Sequence, residues 1–114
     1  FEANSASEYG GAVCVYYSST LTIASSSFKA NSASGSAGAL RVGWGGGSLT
    51  LTSSSFEANS ASYNGGAVYI WRATANIASS YFKENTASDN AGAILVGGTS
   101  AGASALIITS SSFE

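Results

Sequence analysis

Apolar residues recur in the same arrangement four times along this chain. Each unit opens on a Phe followed by Glu or Lys, at Phe1, Phe28, Phe56 and Phe82, and a fifth opens at Phe113. Two apolar residues separated by one residue then recur in every unit, which is the period of a strand with one buried face. These pairs are Val13/Val15, Leu40/Val42, Val68/Ile70 and Ile94/Val96. A second alternating pair precedes the next Phe: Leu21/Ile23, Leu49/Leu51, Ala75/Ile77 and Leu106/Ile108. The pattern predicts strands and turns rather than helices.

The spacing of the units predicts how they are stacked. They span 27, 28, 26 and 31 residues, which is the range of solenoid repeats. We therefore expect an all-β, parallel β-solenoid of four coils with three short strands per coil. The coils are residues 1–27, 28–55, 56–81 and 82–112, and residues 113–114 begin a fifth. Residues 1–114 are expected to be one segment of a longer array.

Composition narrows the classes of function. The 45% of hydrophobic residues argues against disorder, and a net charge of −2 without a basic run argues against a nucleic-acid partner. No stretch is apolar enough to span a membrane. The chain has no His, and its Ser residues have no base partner that would activate them. We predict no enzymatic activity, no catalytic residue, no metal site and no cofactor.

Two side-chain ladders should hold the coils in register. The rings of Phe1, Phe28, Phe56, Phe82 and Phe113 are expected to point inward and stack. The amides of Asn4, Asn31, Asn59 and Asn85 are expected to stack at a turn, because each amide carries both a donor and an acceptor. All length variation falls in one corner of the coil, which we call the variable corner: Tyr16–Thr20, Gly43–Ser48, Trp71–Thr74 and Gly97–Ala105.

The motifs FxxN and GGA followed by Ile, Leu or Val resemble the repeat of the chlamydial polymorphic outer-membrane proteins, which also occurs in other microbial surface proteins. All four coils carry the first motif, and Gly10–Val13 and Gly65–Val68 carry the second as written. Ala37 and Ala91 replace its first Gly in the other coils, which predicts that the backbone does not strictly require Gly there. The resemblance implies a single-stranded right-handed parallel β-helix, extracellular or at a cell surface, and often a role in adhesion.

The residue after each Phe alternates in charge. We call this column the charge ladder: Glu2, Lys29, Glu57, Lys83 and Glu114. Opposite charges on neighbouring strands are favourable, so the alternation should favour the correct register. Chance alternation is the other interpretation. A further copy stacked head to tail would continue the same alternation.

Aromatic and arginine side chains cluster near the variable corner. We expect an exposed patch formed by Tyr16, Tyr17, Arg41, Trp44, Tyr69, Trp71 and Arg72. Tyr, Trp and Arg are enriched at interaction hot spots, and flat rings also suit the faces of sugars. The alternative is that these rings only cover the strand and pack between coils.

Two classes of function follow from the sequence. The first is a structural element of a cell-surface fibre or stalk, whose partners are further copies or coils of the same repeat. The second is a surface adhesin or recognition module that binds a protein or glycan partner on the aromatic face. Ice binding is disfavoured, because the outward column Thr22, Thr50, Asn76, Ile107 does not keep its Thr.

Overall fold

The computed structural model describes residues 1–99 and 101–114, and these residues form strands, turns and bends without a helix. Fourteen strands follow one another along the chain: β1 (Ser5–Ala6), β2 (Val13–Tyr16), β3 (Thr20–Ala24), β4 (Ser27–Lys29), β5 (Ser32–Ala33), β6 (Leu40–Thr52), β7 (Ser55–Glu57), β8 (Ser60–Ala61), β9 (Val68–Ala78), β10 (Tyr81–Lys83), β11 (Thr86–Ala87), β12 (Ile94–Gly97), β13 (Ala105–Thr109) and β14 (Ser112–Phe113). The all-β prediction is confirmed.

The strands form three parallel sheets, and every sheet runs from coil to coil. The first joins the Phe strands in the order β14-β10-β7-β4, and the second joins the Ser-Ala strands in the order β1-β5-β8-β11. The third is built on β12-β9-β6-β2, with β13 beside β9 and β3 beside β6. Neighbours in each sheet come from successive coils and all pair in parallel. This confirms a β-solenoid of four stacked coils. Its right-handedness stays a prediction.

The strands of a coil differ from the apolar pattern in two ways. The coils contain an additional short strand, and in two coils a pair of predicted strands is joined into one. A two-residue strand at Ser-Ala, without an alternating apolar pair, forms a sheet of its own. In the second and third coils the two predicted apolar strands join into single strands of 13 and 11 residues, β6 and β9. The pairing of β6 with β9 shifts register between Gly43 and Gly47, at the variable corner. The backbone of these two coils therefore continues through the corner as one strand, whereas β2 and β3 of the first coil stay separate.

The core lies between the sheets and consists of the inward residues of the middle coils. Phe28, Phe56 and Phe82 are completely buried, as are Leu40, Val42, Val68 and Ile70. The corresponding side chains of the first and last coils, such as Val13 and Ile94, are only partly buried against this core. Apolar positions two residues apart face the same side of a strand, so the alternating pairs supply the core in every coil.

Left-handed residues form the corners of the coil, and most of them are not glycine. The residue before each ladder Asn has φ of 52–53°, at Ala3, Ala30, Ala58 and Glu84. A Ser three residues before the next Phe has φ of 49–51°, at Ser25, Ser53, Ser79 and Ser110. L-residues adopt this region at a cost, because Cβ crowds the following carbonyl oxygen. Each coil therefore stores conformational strain that its packing and inter-coil hydrogen bonds must offset.

Glycine is favoured at the first two positions of the GGA motif for two different physical reasons. The first position has positive φ in every coil: 64° at Gly10, 66° at Ala37, 63° at Gly65 and 54° at Ala91. The backbone therefore does favour Gly at this position, and the alanines occupy the same conformation with strain. The second position needs space instead, since a Cβ on Gly38 would collide with the carbonyl oxygen of Gly66 in the next coil.

Candidate binding groove beside the variable corner

A groove of about 660 Å³ runs along the outward side of β6 and β9, next to the variable corner. Five residues of the predicted patch line it: Arg41, Trp44, Tyr69, Trp71 and Arg72. A second, smaller concavity of about 440 Å³ lies over the Ser-Ala sheet and is lined by Ser, Thr and Ala residues. The first groove thus holds the groups that can recognise a ligand, and we call it the aromatic groove.

The parallel register brings these side chains together. Arg41 and Tyr69 are direct neighbours on β6 and β9, and Trp71 lies opposite Gly43. Trp44 follows Gly43 at the start of the corner, where it has φ of 70° and is 51% exposed. Outward positions of adjacent coils lie about 4.8 Å apart, so each coil adds one row of side chains to the groove.

Two tyrosines that sequence reasoning missed complete the groove. Tyr9 and Tyr63 lie on the turns that precede Gly10 and Gly65, and both line the aromatic groove. Tyr63 is 56% exposed. The signal for them is an aromatic residue just before Gly-Gly, in EYGG and YNGG, whose ring the left-handed corner directs beside the following strand.

Arg41 differs from its prediction, because it is buried rather than exposed. Only 4% of its surface is accessible. The guanidinium carbon lies 4.1 Å from the ring centroid of Tyr9, 4.8 Å from that of Tyr16 and 5.7 Å from that of Tyr69. Three rings, one from a turn and two from strands, therefore cover this cation, and each contributes an attractive cation–π contact.

The guanidinium lacks an acceptor in its own plane. Among the described residues, no hydrogen-bond partner reaches Nε or Nη1 of Arg41, although both atoms are buried. Aromatic faces stabilise a cation but do not replace in-plane hydrogen bonds. An unsatisfied buried charged donor costs more than a neutral one, for which the cost is about 1–3 kcal/mol.

The neighbouring tyrosine responds to the same environment. Burial raises the pKa of Tyr69, and the phenol of Tyr9 raises it further, while the Arg41 cation opposes both effects. The ring of Tyr69 lies 6.0 Å from that of Trp71 with a tilt of 47°. Tyr69 therefore remains a neutral hydrogen-bond donor in the groove through the physiological pH range.

The remaining patch residues lie at the edges. Tyr16 contacts Arg41 but is not among the residues that line the groove, and Tyr17 is 75% exposed and also lies outside the lining. Arg72 donates from Nη2 to the carbonyl oxygen of Ala101 at 3.5 Å, so it also braces the long corner of the fourth coil. One residue of that predicted corner, Ser100, lies outside the described residues.

The Phe ladder is a continuous stack of parallel rings. Successive centroids are 4.6, 4.6, 4.9 and 4.9 Å apart, and the planes deviate by 2–8°. The two end rings are exposed, Phe1 by 60% and Phe113 by 46%. Each end of the described segment therefore presents the flat face of a Phe ring.

The Asn ladder is a hydrogen-bonded column. Oδ1 of Asn59 accepts from the backbone N of Asn31 at 3.0 Å and from its Nδ2 at 2.9 Å. Nδ2 of Asn59 donates to Oδ1 of Asn85 at 2.9 Å and to the carbonyl oxygen of Phe28 at 3.0 Å. Asn31 and Asn59 are completely buried, and Asn4 and Asn85 continue the column toward the ends. Every amide in the middle of the column is satisfied.

The charge ladder is in register, but its side chains pair only in part. Nζ of Lys29 lies 3.9 Å from Oε1 of Glu57. Lys83 instead approaches Glu84 of its own coil at 3.7 Å, and Glu114 accepts a hydrogen bond from the Tyr81 hydroxyl at 2.8 Å. The Lys29 and Glu57 side chains are about half exposed, so such a pair contributes at most about 1 kcal/mol.

Comparison with known proteins bears on the family and not on the groove. In the described part of the chain there is no helix with the length and apolar character of a membrane span. No curated protein and no solved structure matches the chain. A family model does match: residues 53–70 fit the Chlamydia polymorphic membrane protein repeat. This match covers the FEAN and GGAV motifs of the third coil. The resemblance predicted from those motifs is therefore confirmed, and the chain carries a repeat similar to that of the Chlamydia polymorphic membrane proteins.

Proposed function

We propose that this chain is a structural β-solenoid segment of a cell-surface protein, in which it stacks end to end with further coils to form a stalk or fibre. The observation that carries the proposal is the unbroken stacking of Phe1, Phe28, Phe56, Phe82 and Phe113 at 4.6–4.9 Å. This distance matches the strand spacing of about 4.8 Å, so a further coil fits either end without a change of geometry.

The contacts between the middle coils support this proposal. The rings of Phe28, Phe56 and Phe82 are completely buried in the stack. The strands of each middle coil also pair with both neighbouring coils in all three sheets. A further equivalent coil would continue the ring stack and the strand pairing.

A tandem protein tests the stacking. In it residues 1–112 are followed directly by a second copy, so that Phe1 of that copy takes the place of Phe113. We expect small-angle scattering to show one rod longer by about 19 Å, four spacings of about 4.8 Å. Thermal unfolding should be a single transition above that of the single chain, because stacked repeats couple through their interfaces.

The matched control is the same tandem with Phe1→Asp in the second copy. It should unfold near the midpoint of the single chain, because a charge in the Phe stack prevents the two copies from docking and removes their coupling. The proposal would be contradicted by an unsubstituted tandem that behaves as two independent particles, or by a substituted tandem that stays coupled.

A second candidate function is recognition of a partner through the aromatic groove, as in an adhesin. The observation that favours it is the exposure of Trp44 and Tyr63, 51% and 56%, at the mouth of a concave surface. Trp44→Ser combined with Trp71→Ser should leave the fold intact and reduce attachment of protein-coated beads to cultured epithelial cells. Equal attachment of the unsubstituted chain and the double variant would contradict this function and would mean that the two rings only pack against the coils.

A further inference from the structure

We infer that the aromatic groove binds a saccharide that carries a carboxylate, with Arg41 as the group that recognises the charge. This inference rests on the second candidate function, recognition through the groove, and is independent of end-to-end stacking. The central observation is that Arg41, a buried residue in the groove wall with 4% exposure, has no hydrogen-bond partner at Nε or Nη1 among the described residues.

The residues that the structure describes supply no acceptor to Nε or Nη1 of Arg41. Glu8 lines the same groove, yet the ion pairs among the described residues are Lys29–Glu57 and Lys83–Glu84, and neither involves Arg41. The ring faces of Tyr9 and Tyr16 lie within 5 Å of the guanidinium carbon and supply no hydrogen-bond acceptor to Nε or Nη1. What remains for a ligand is the N–H edge, and a planar carboxylate matches that edge.

The distribution of charge supports an anionic ligand. The chain has a net charge of −2, but both of its arginines line the groove, together with a single carboxylate, that of Glu8. The groove therefore carries one net positive charge (two arginines, one glutamate). The two lysines belong to the charge ladder, so the cations are divided between two separate places.

The size and lining of the groove favour a saccharide over a folded protein. Its volume of about 660 Å³ falls within the range of small-ligand sites. A stable protein interface needs about 800 Å² on each partner and a flatter surface. The rings of Trp44 and Tyr63 present apolar faces to the C–H face of a pyranose, and Ser34, Ser36 and Asn64 line the groove with hydrogen-bonding groups for hydroxyls.

Access to Arg41 depends on one ring. Tyr9 is 38% exposed on the turn before Gly10 and lies closest to the guanidinium. Rotation of this ring toward solvent uncovers the N–H edge and lets the ligand carboxylate take its place. The Arg41 cation is thus stabilised by π contacts when the groove is empty and by charge-assisted hydrogen bonds to the ligand when the groove is occupied.

Tryptophan fluorescence provides a direct measurement, because both tryptophans of the chain line the groove. The full chain is titrated with sialyllactose and with trigalacturonic acid. Each is compared with its uncharged counterpart, lactose or the fully methyl-esterified trigalacturonate. We expect at least one acidic sugar to bind at least tenfold more tightly than its neutral counterpart, with a preference that weakens as salt is raised.

Variants separate the charge from the rings. Arg41→Leu should abolish the preference for the acidic sugar, change the affinity for the neutral sugar less than twofold, and leave the melting temperature unchanged or higher. Arg41→Lys keeps the charge but loses the planar fork, and should retain only part of the preference. Lys29→Leu makes the same change in net charge away from the groove and should have no effect.

The alternatives give distinct results. Equal binding of acidic and neutral sugars would overturn the role of Arg41 while leaving recognition through the groove in place. Equal binding of hexaglutamate would replace the saccharide by an acidic peptide and overturn the ligand class. Failure of all these probes to change the fluorescence would overturn the inference, and attachment of the protein-coated beads would then show whether the groove serves another partner.

Discussion

At the scale of single residues, each coil places a residue that is not glycine in the left-handed conformation at the corner before the ladder Asn. Ala58 has φ of 52° between Glu57 and the buried Asn59, although its side chain is exposed. The same left-handed conformation recurs at this position in every coil, with Ala in three coils and Glu in the fourth. Glycine would adopt this conformation without strain, so Ala and Glu lower the stability of the fold at these corners.

Substitutions at Ala58 should therefore have opposite signs. Ala58→Gly relieves the left-handed strain and loses no buried surface, because the Ala58 side chain is exposed. The larger entropy of the unfolded chain offsets part of this gain, so we expect stabilisation by up to about 1 kcal/mol. Ala58→Val places a β-branched residue in the same conformation and should destabilise by about 1–3 kcal/mol. Urea unfolding of the three proteins measures both effects. Equal destabilisation by both substitutions would contradict the role of φ.

The ionisation of Tyr69 links the groove to stability at high pH. Burial raises the pKa of Tyr69 in the folded chain above the ordinary value of about 10. The resulting stability is fully present below pH 10 and is lost as the pH rises through the higher native pKa. Tyr69→Phe should lose less stability than the unsubstituted chain when urea midpoints are compared from pH 9 to pH 12. Parallel curves for the two proteins would contradict this assignment.

At the scale of elements, the coil-to-coil ladders fix the register of the sheets. The Ser-Ala strands are only two residues long, so their own hydrogen bonds cannot specify it. The Asn column lies between these strands and the Phe strands, and it bonds each coil to both of its neighbours. A polar column that is fully satisfied in the interior ties short strands to one register, because any slip would leave several buried groups unpaired.

Removal of one amide from the middle of the column should show this. Asn59→Ala leaves the backbone N and the Nδ2 of Asn31, and the carbonyl oxygen of Phe28, without their partner. We expect a loss of about 3–5 kcal/mol, since each buried unsatisfied group costs about 1–3 kcal/mol. Asn4→Ala is the matched control at the exposed end, where the cost should be about 1 kcal/mol. Equal losses measured by denaturant unfolding would show that burial in the column does not matter.

At the scale of the whole molecule, the coil has one corner that can change length. Gly46 is exposed, and a Cβ added there would meet no atom within 4 Å. By contrast, Ser62 and Tyr63 donate backbone hydrogen bonds to Ala33 and Gly35 of the preceding coil. Growth of the variable corner therefore leaves the stack intact, whereas growth of the turn before Gly-Gly disrupts it.

Insertions test this asymmetry. Four Gly and Ser residues inserted after Gly46 should cost less than about 1 kcal/mol, because loop closure depends weakly on length. The same insertion after Ser62 should cost at least about 2 kcal/mol, since it separates hydrogen-bonded turns of adjacent coils. Thermal and urea unfolding of both proteins provide the measurement. Equal tolerance at the two sites would mean that the inter-coil bonds of the turn are dispensable.

The sequence by itself determined the four coils and the inward columns. Phe28, Phe56 and Phe82 recur in phase, and stacking at one strand spacing turns any in-phase repeat into a ladder. The Asn column followed from the same reasoning. Such features depend on the period alone, so no knowledge of the path between the repeats was needed to predict them.

Only the tertiary structure decided what happens outside the repeating columns. It buried Arg41, which an outward strand position predicts to be exposed, because Tyr9 from one turn and Tyr69 from the next coil cover it. It also directed Lys83 to Glu84 rather than along the charge ladder. Turns and long side chains do not follow the two-residue period of a strand, so their contacts depend on the path of each corner. The repeat therefore predicts the stacked columns. The groove is formed by residues that differ from coil to coil, so only the tertiary structure shows it.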